Sequence, residues 1–185
     1  MANREALREL QSRLAQRLQQ ARSETRSSSW LAVECAGTGL LFPLASAGEI
    51  FPLSALLPVP HTRPWFIGVA NLRGGLHGVV DLAAFLGLRQ PVTADSVRER
   101  SQLLSFNASL GSHCAILVDR LAGLRSADQL QAEAADNNDG HSRPAFAAGR
   151  WRDTEGRLWQ EIDLAALARN EQFLAVAAET APGHR

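Results

Sequence analysis

Hydrophobic and polar positions follow two different periods along this chain. Between Arg4 and Ser29 the run REALRELQSRLAQRLQQARSETRSSS places Leu7, Leu10, Leu14 and Leu18 at three- and four-residue steps. Ala21 extends that stripe, and arginine and glutamine cover the remaining faces. The spacing predicts an amphipathic helix within a 1–28 extension, supported by Glu5–Arg8 and Glu9–Arg13 at helical-neighbour separation. An isolated helix of this length is marginal in water, so its leucines need a partner. The body of the same chain or a helix elsewhere would serve, including self-association with a second copy.

Beyond Ser29 the period shortens to that of strands. WLAVECAG reads as a strand, GTG as a tight turn, and LLFPLASAGEI as the return and its continuation, with Pro43 arguing for an edge strand or bulge. LSALLPVPHTRP is an extended connector because its prolines exclude regular elements. WFIGVANLRGGLHGVVD predicts two strands turning at Gly74 and Gly75, and LAAFLGL a short helix closed at Gly87. The polar stretch RQPVTADSVRERS reads as a surface loop. QLLSFNA and SHCAILVDRLAGL flank SLGS as a hairpin would, and QAEAADNNDGHSRP reads as a mobile loop. AFAAGRWRDTEGRLWQEIDL predicts a further hairpin. LAALARNEQFLAVAA reads as a helix with Leu164, Leu167, Phe173 and Leu174 on its apolar side. The last residues, 179–185, read as a disordered tail.

GGLHGVVDLAAFLGL and GRLWQEIDLAALARN share a layout of glycine, strand, Asp-Leu step and short helix. Many short strands with no long helices between them favour small β-barrels over a parallel sheet. The predicted class is all-β: two similar lobes, roughly 29–90 and 100–165, within a 29–178 domain carrying a C-terminal helix.

Composition narrows the function by exclusion. The 185 residues are 45% apolar with a formal net charge of zero, so no global field draws the chain to nucleic acid or anionic membrane. All 19 basic residues are arginines. Without lysine there is no phosphate-binding glycine loop of the usual kind. No apolar run reaches the roughly 20 residues that cross a bilayer, and the charged N-terminus is unlike a secretory signal; a cytoplasmic location is expected. Cys35 and Cys114 lie far apart in apolar runs and read as buried thiols rather than metal ligands. The histidines show no ligand spacing, and Asp81 and Asp163 suit helix N-caps. No catalytic residue, metal or cofactor is expected.

Asn71 and Arg73 remain, polar groups at the end of an apolar strand. Alternation places both on one face, opposite Leu72. Arg73 could pin its own turn, project a rigid fork toward a partner protein, or act as an anion clamp in a small-molecule-binding barrel.

Here the residues carry a resemblance. RPWFIGVANLRGGLHGVVDLAAFLGL resembles the signature of the CheW family of chemosensory coupling proteins, with Asn-Leu-Arg-Gly as its specific part. LLFPLASAGEIFPLSALLPVP, HCAILVDRLAGLRSADQ and GRLWQEIDLAALA are similar to that family's flanking strands, so the likeness spans about residues 29–175. It implies a non-catalytic adaptor of two five-stranded, SH3-like β-barrels around a shared core. Such an adaptor binds the regulatory domain of a CheA-type histidine kinase and the cytoplasmic tip of a chemoreceptor. Carried over by motif, Glu49, Asn71 and Arg73 would lie at partner-binding surfaces, Ile50 and Val69 would shape an apolar groove, and Asp81 and Gly74 would support the fold. Gly78 stands where the family carries proline, which would soften the strand, and Phe51 stands where it carries a charge. The leucine-rich extension looks like that of PilI-type members, which serve type IV pili and twitching motility.

Overall fold

The computed structural model describes residues 29–92, 101–133 and 143–178. The predicted N-terminal helix, the tail and most of the two polar loops lie outside these ranges. Among the described residues the chain is mostly β, with eleven strands in two sheets.

β1 (Ser29–Cys35) and β2 (Thr38–Pro43) form a hairpin, followed by β3 (Ala47–Pro52). Its turn is Ala36–Gly37, both at positive φ, rather than the Gly-Thr-Gly expected. Left-handed residues at both turn positions match the right-handed twist of the flanking strands. β4 (Phe66–Leu72) and β5 (Gly75–Asp81) form the second hairpin, which runs straight into α1 (Leu82–Phe85). β6 (Gln102–Phe106) and β7 (Cys114–Val118) pair across a 3-10 turn at Ala108–Leu110. β8 (Arg120–Ser126), β9 (Leu130–Ala132), β10 (Ala147–Asp153) and β11 (Leu158–Ile162) complete the strands, and α2 (Leu164–Leu167) and α3 (Glu171–Leu174) follow.

One sheet runs β8-β1-β2-β11-β10-β9 and the other β3-β6-β7-β5-β4. The sheets therefore do not coincide with sequential lobes at 29–90 and 100–165: β1 and β2 lie with the late strands, and β6 and β7 with the early ones. Two of the pairings, β2 with β11 and β5 with β7, are parallel. The lack of long helices does not prevent these pairings, because the crossovers run through other strands. β2 is consequently an inner strand, and Pro43 is tolerated as its last residue.

Burial follows this layout. Ile67, Ala70, Leu72, Val79, Leu103 and Leu117 cluster on one face of the five-stranded sheet. Trp30, Ala32, Leu41, Leu130 and Trp159 cluster on one face of the six-stranded sheet. The largest cluster draws from both sheets, joining Leu31, Phe42 and Ile162 to Val80, Phe106 and Ile116. Central strands are thus buried on both faces, which is why β7 reads as an unbroken apolar run.

The internal echo has a structural counterpart. Asp81 and Asp163 each end a strand and cap the next helix, accepting the N–H of Ala84 and those of Ala165 and Ala166. Leu82 and Leu164, the residues after each aspartate, both enter the shared core. The C-terminal run is not one helix, however. Asn170 caps a new turn at Phe173, so Leu164, Leu167 and Phe173 are buried while Leu174 is exposed.

Candidate partner-binding surface

The β4–β5 turn is made by Arg73 and Gly74, at φ +49° and +82°, one residue earlier than expected. Gly75 already pairs with Leu72 in the ladder. An arginine in the left-handed region is uncommon and needs local support. Asn71 supplies it: its Oδ1 accepts the Gly74 N–H at 2.8 Å, an Asx-type bond that closes the turn. Gly74 has open space where a Cβ would stand, so only its backbone angle demands glycine.

Across the same sheet, β3 forms the opposite edge. The Arg73 guanidinium donates to Glu49 Oε1 at 3.0 Å, with side chains 75% and 52% exposed. The chain beyond β3 also reaches β4, where Leu57 and Val69 exchange backbone hydrogen bonds of 2.8 and 2.9 Å. The two edges of the five-stranded sheet are thereby drawn together.

Of the residues expected at a binding surface, the structure brings Glu49 and Arg73 into contact and gives Asn71 a turn-closing role. Ile50 and Val69 stand on opposite edge strands, Ile50 exposed and Val69 half-buried. Two exposed leucines that no motif marks lie on the same sheet. Leu57 pairs with Val69 and Leu76 with Asn71, so all four share a face, and these leucines are 65% and 64% exposed. GLHGVV has no alternation that would mark Leu76 as outward, and Leu57 sits in a proline-rich connector with no periodicity to read. An open hollow of about 620 Å³ lies beside the ion pair, with Phe51, Leu72, His77 and His113 among its walls.

Gly78 is not a soft point. It pairs with Val69 on one side and Cys114 on the other, and donates its N–H to His113 O at 3.0 Å. The Phe66 ring lies 3.0 Å from where its Cβ would be, so the ring fills the space a side chain would take.

Asp81 is fully buried and does more than cap. Its carboxylate also accepts from Arg89, through Nη2 at 2.8 Å and Nε at 3.3 Å, and from the Val92 N–H at 3.4 Å. Arg89 Nη1 donates to Asp119 at 2.6 Å, and Asp119 accepts the Ala36 N–H at 2.6 Å. Burial alone would lower the Arg89 pKa; the bonds to the two aspartates overcome it and leave it raised, so the guanidinium stays charged. The network ties the ends of β5 and β7 to the β1–β2 turn of the other sheet. Neither Arg89 nor Asp119 stood out in the sequence, because their partners lie on separate strands.

Among the described residues, no group of three or more histidines, cysteines, aspartates or glutamates could hold a metal ion. No described helix is long and apolar enough to cross a membrane.

The described surface thus carries an exposed ion pair at the rim of the five-stranded sheet, within a two-sheet fold. Residues 29–172 match the CheW-like domain model, and the chain belongs to that family. It is 26% identical over 113 residues to Protein PilI of Pseudomonas aeruginosa, covering 61% of each chain. It is 26% identical over 134 residues to Chemotaxis protein CheW of Thermotoga maritima, covering 72% of this chain and 83% of that one. The fold resembles the crystal structure of scaffolding protein TtCheW from Thermoanaerobacter tengcongensis, with a TM-score of 0.59 at 17% identity over 75% of this chain and 85% of that one. Members of this family are scaffolds and adaptors in chemosensory signalling.

Proposed function

We propose that this chain is a non-catalytic scaffold that couples the cytoplasmic tip of a chemoreceptor to the regulatory domain of a CheA-type histidine kinase. It acts in the cytoplasm, recruited to receptor arrays, and its pathway controls type IV pili and twitching motility. The likeness to PilI and the leucine-rich N-terminal extension support the pilus branch.

One observation carries the reading: Glu49 and Arg73 form an exposed pair on backbone that is fixed at both ends, beside an open hollow walled by Phe51 and Leu72. A planar guanidinium held in one orientation is suited to a partner's carboxylate or carbonyl oxygens. Coupling then needs no chemistry. Two faces of one rigid body bind two partners and raise their effective concentration for each other. An anion clamp fits less well, because Arg73 already faces a carboxylate and the described walls of the hollow add no arginine to it.

The test is Arg73→Ala, with affinity for the CheA-type regulatory domain measured by calorimetry. Truncating an interfacial arginine should weaken binding by about tenfold or more. The thermal melt should hardly move, since an exposed ion pair is worth about 0–1 kcal/mol. Unchanged affinity in a folded variant would remove Arg73 from the interface.

A further inference from the structure

We infer that Ser105 is a positioning residue for Glu49, acting through a β-bulge; as regards partner binding, the inference rests on the proposed function above. In the β3–β6 ladder Ala47 pairs with Phe106 and Ile50 with Leu104, leaving Gly48 and Glu49 together opposite Ser105. Two residues against one is a bulge, and the extra residue lacks ladder partners. The Ser105 hydroxyl replaces them: Oγ accepts the Glu49 N–H at 2.9 Å and donates to the Glu49 carbonyl at 3.2 Å. One buried side chain thus satisfies both backbone groups of Glu49. Gly48 is the other requirement. A Cβ there would stand 2.7 Å from the carbonyl oxygens of Ser105 and Phe106, and 2.6 Å from Ser105 Oγ.

The bulge decides which way Glu49 faces. In a regular strand Ala47, Glu49 and Phe51 would share one face. With the bulge, Ala47 packs into the core shared by the sheets, while Phe51 packs on the five-stranded sheet's own cluster. Glu49 lies on the Phe51 side, with Arg73 within reach. Losing the extra residue would turn part of β3 over, as any one-residue slip does. Ser105 touches no partner in this scheme; it aims the residue that does.

The experiment compares wild type, Ser105→Ala, Glu49→Ala and the double variant of the full chain. Two readouts are used: hydrogen exchange at the Glu49 amide, and affinity for the CheA-type regulatory domain. Ser105→Ala should speed Glu49 amide exchange at least about fivefold, the factor one net hydrogen bond carries. It should weaken binding by a similar factor, but only where Glu49 is present. Unchanged exchange, or an equal loss of affinity with and without Glu49, overturns the inference. If Glu49→Ala and Arg73→Ala both bind like wild type, the partner-surface reading fails instead, and amide exchange alone still decides what Ser105 does. Should Ser105→Ala fail to fold, Ser105→Thr keeps the hydroxyl and must preserve slow exchange, while Ser105→Cys must lose it.

Discussion

Replacing Arg89 with methionine tests what locks the two sheets together. Asp81 is fully buried and accepts four hydrogen bonds, from Ala84 N, Val92 N and two Arg89 nitrogens. The substitution keeps a long apolar stem but removes two of those donors and the only arginine that touches both Asp81 and Asp119 among the described residues. A buried carboxylate stripped of its cation costs about 3–5 kcal/mol. The Arg89 side chain is 23% exposed, so water will reach part of the vacated site, and the lower end, about 3 kcal/mol, is expected. For a domain of this size that corresponds to a loss of about 6–12 °C in Tm. Urea melts with an unchanged slope would assign the loss to the folded state. Arg89→Lys should fall between, because one ammonium lacks the planar fork that spans both aspartates. A loss below about 1 kcal/mol for Arg89→Met would refute the reasoning: the network would then be a bystander, with the shared apolar core alone fixing the sheets.

Two further outcomes concern titrating groups. Glu34 accepts from Arg120 and Arg157, and the Arg120 hydrogen bond, against a smaller opposing effect of burial, leads in holding its pKa below the usual value of 4.5. A depressed folded pKa stabilises above the unfolded value and is lost as pH falls through the folded one. Stability should therefore drop below about pH 4.5, and Glu34→Gln should flatten that part of a pH series of urea melts. Burial pushes the Cys35 and Cys114 thiols up to about 12, with the Asp119 charge adding to the effect at Cys35. Both should resist a thiol reagent in the native protein and react at the rate of unfolding, so fast native labelling would contradict their burial.

Local features were legible in the sequence, and register was not. The short apolar runs WLAVEC and CAILV, bounded by turn residues, gave strands where strands are, because such runs are a local property. Asp81 and Asp163 were legible as caps for the same reason. The turn at Arg73 was missed by one residue: glycine at 74 and 75 marks where a turn is easy, whereas the Leu72–Gly75 pairing decides where it falls. Pairing β2 with β11 joins residues about 120 apart, and no short-range pattern encodes that. Ser105 and Arg89 were invisible on the same ground. A serine in QLLSFN is unremarkable until Gly48 and Glu49 are set opposite it, and Arg89 looks like any loop arginine until Asp119 lies beside it. Glu49, Asn71 and Arg73 are marked by motif, but only the fold brings two of them into contact.

The interleaving of the sheets bears on how this chain must be made. β1 and β2 emerge first during synthesis, yet β2 meets β11 only after residues 158–162 have been translated. Until residues 120–126 bring β8 to β1 the hairpin is a two-stranded ribbon, marginal in water, and β2 keeps an open edge until β11 follows. Most of the chain must wait in an unfinished state, a slow route typical of folds built on distant contacts. A nonsense mutation or nick that removes the last 30 residues would not leave one good half behind. It would strip β2 of one of its two neighbours, and with it a wall of the core that both sheets share.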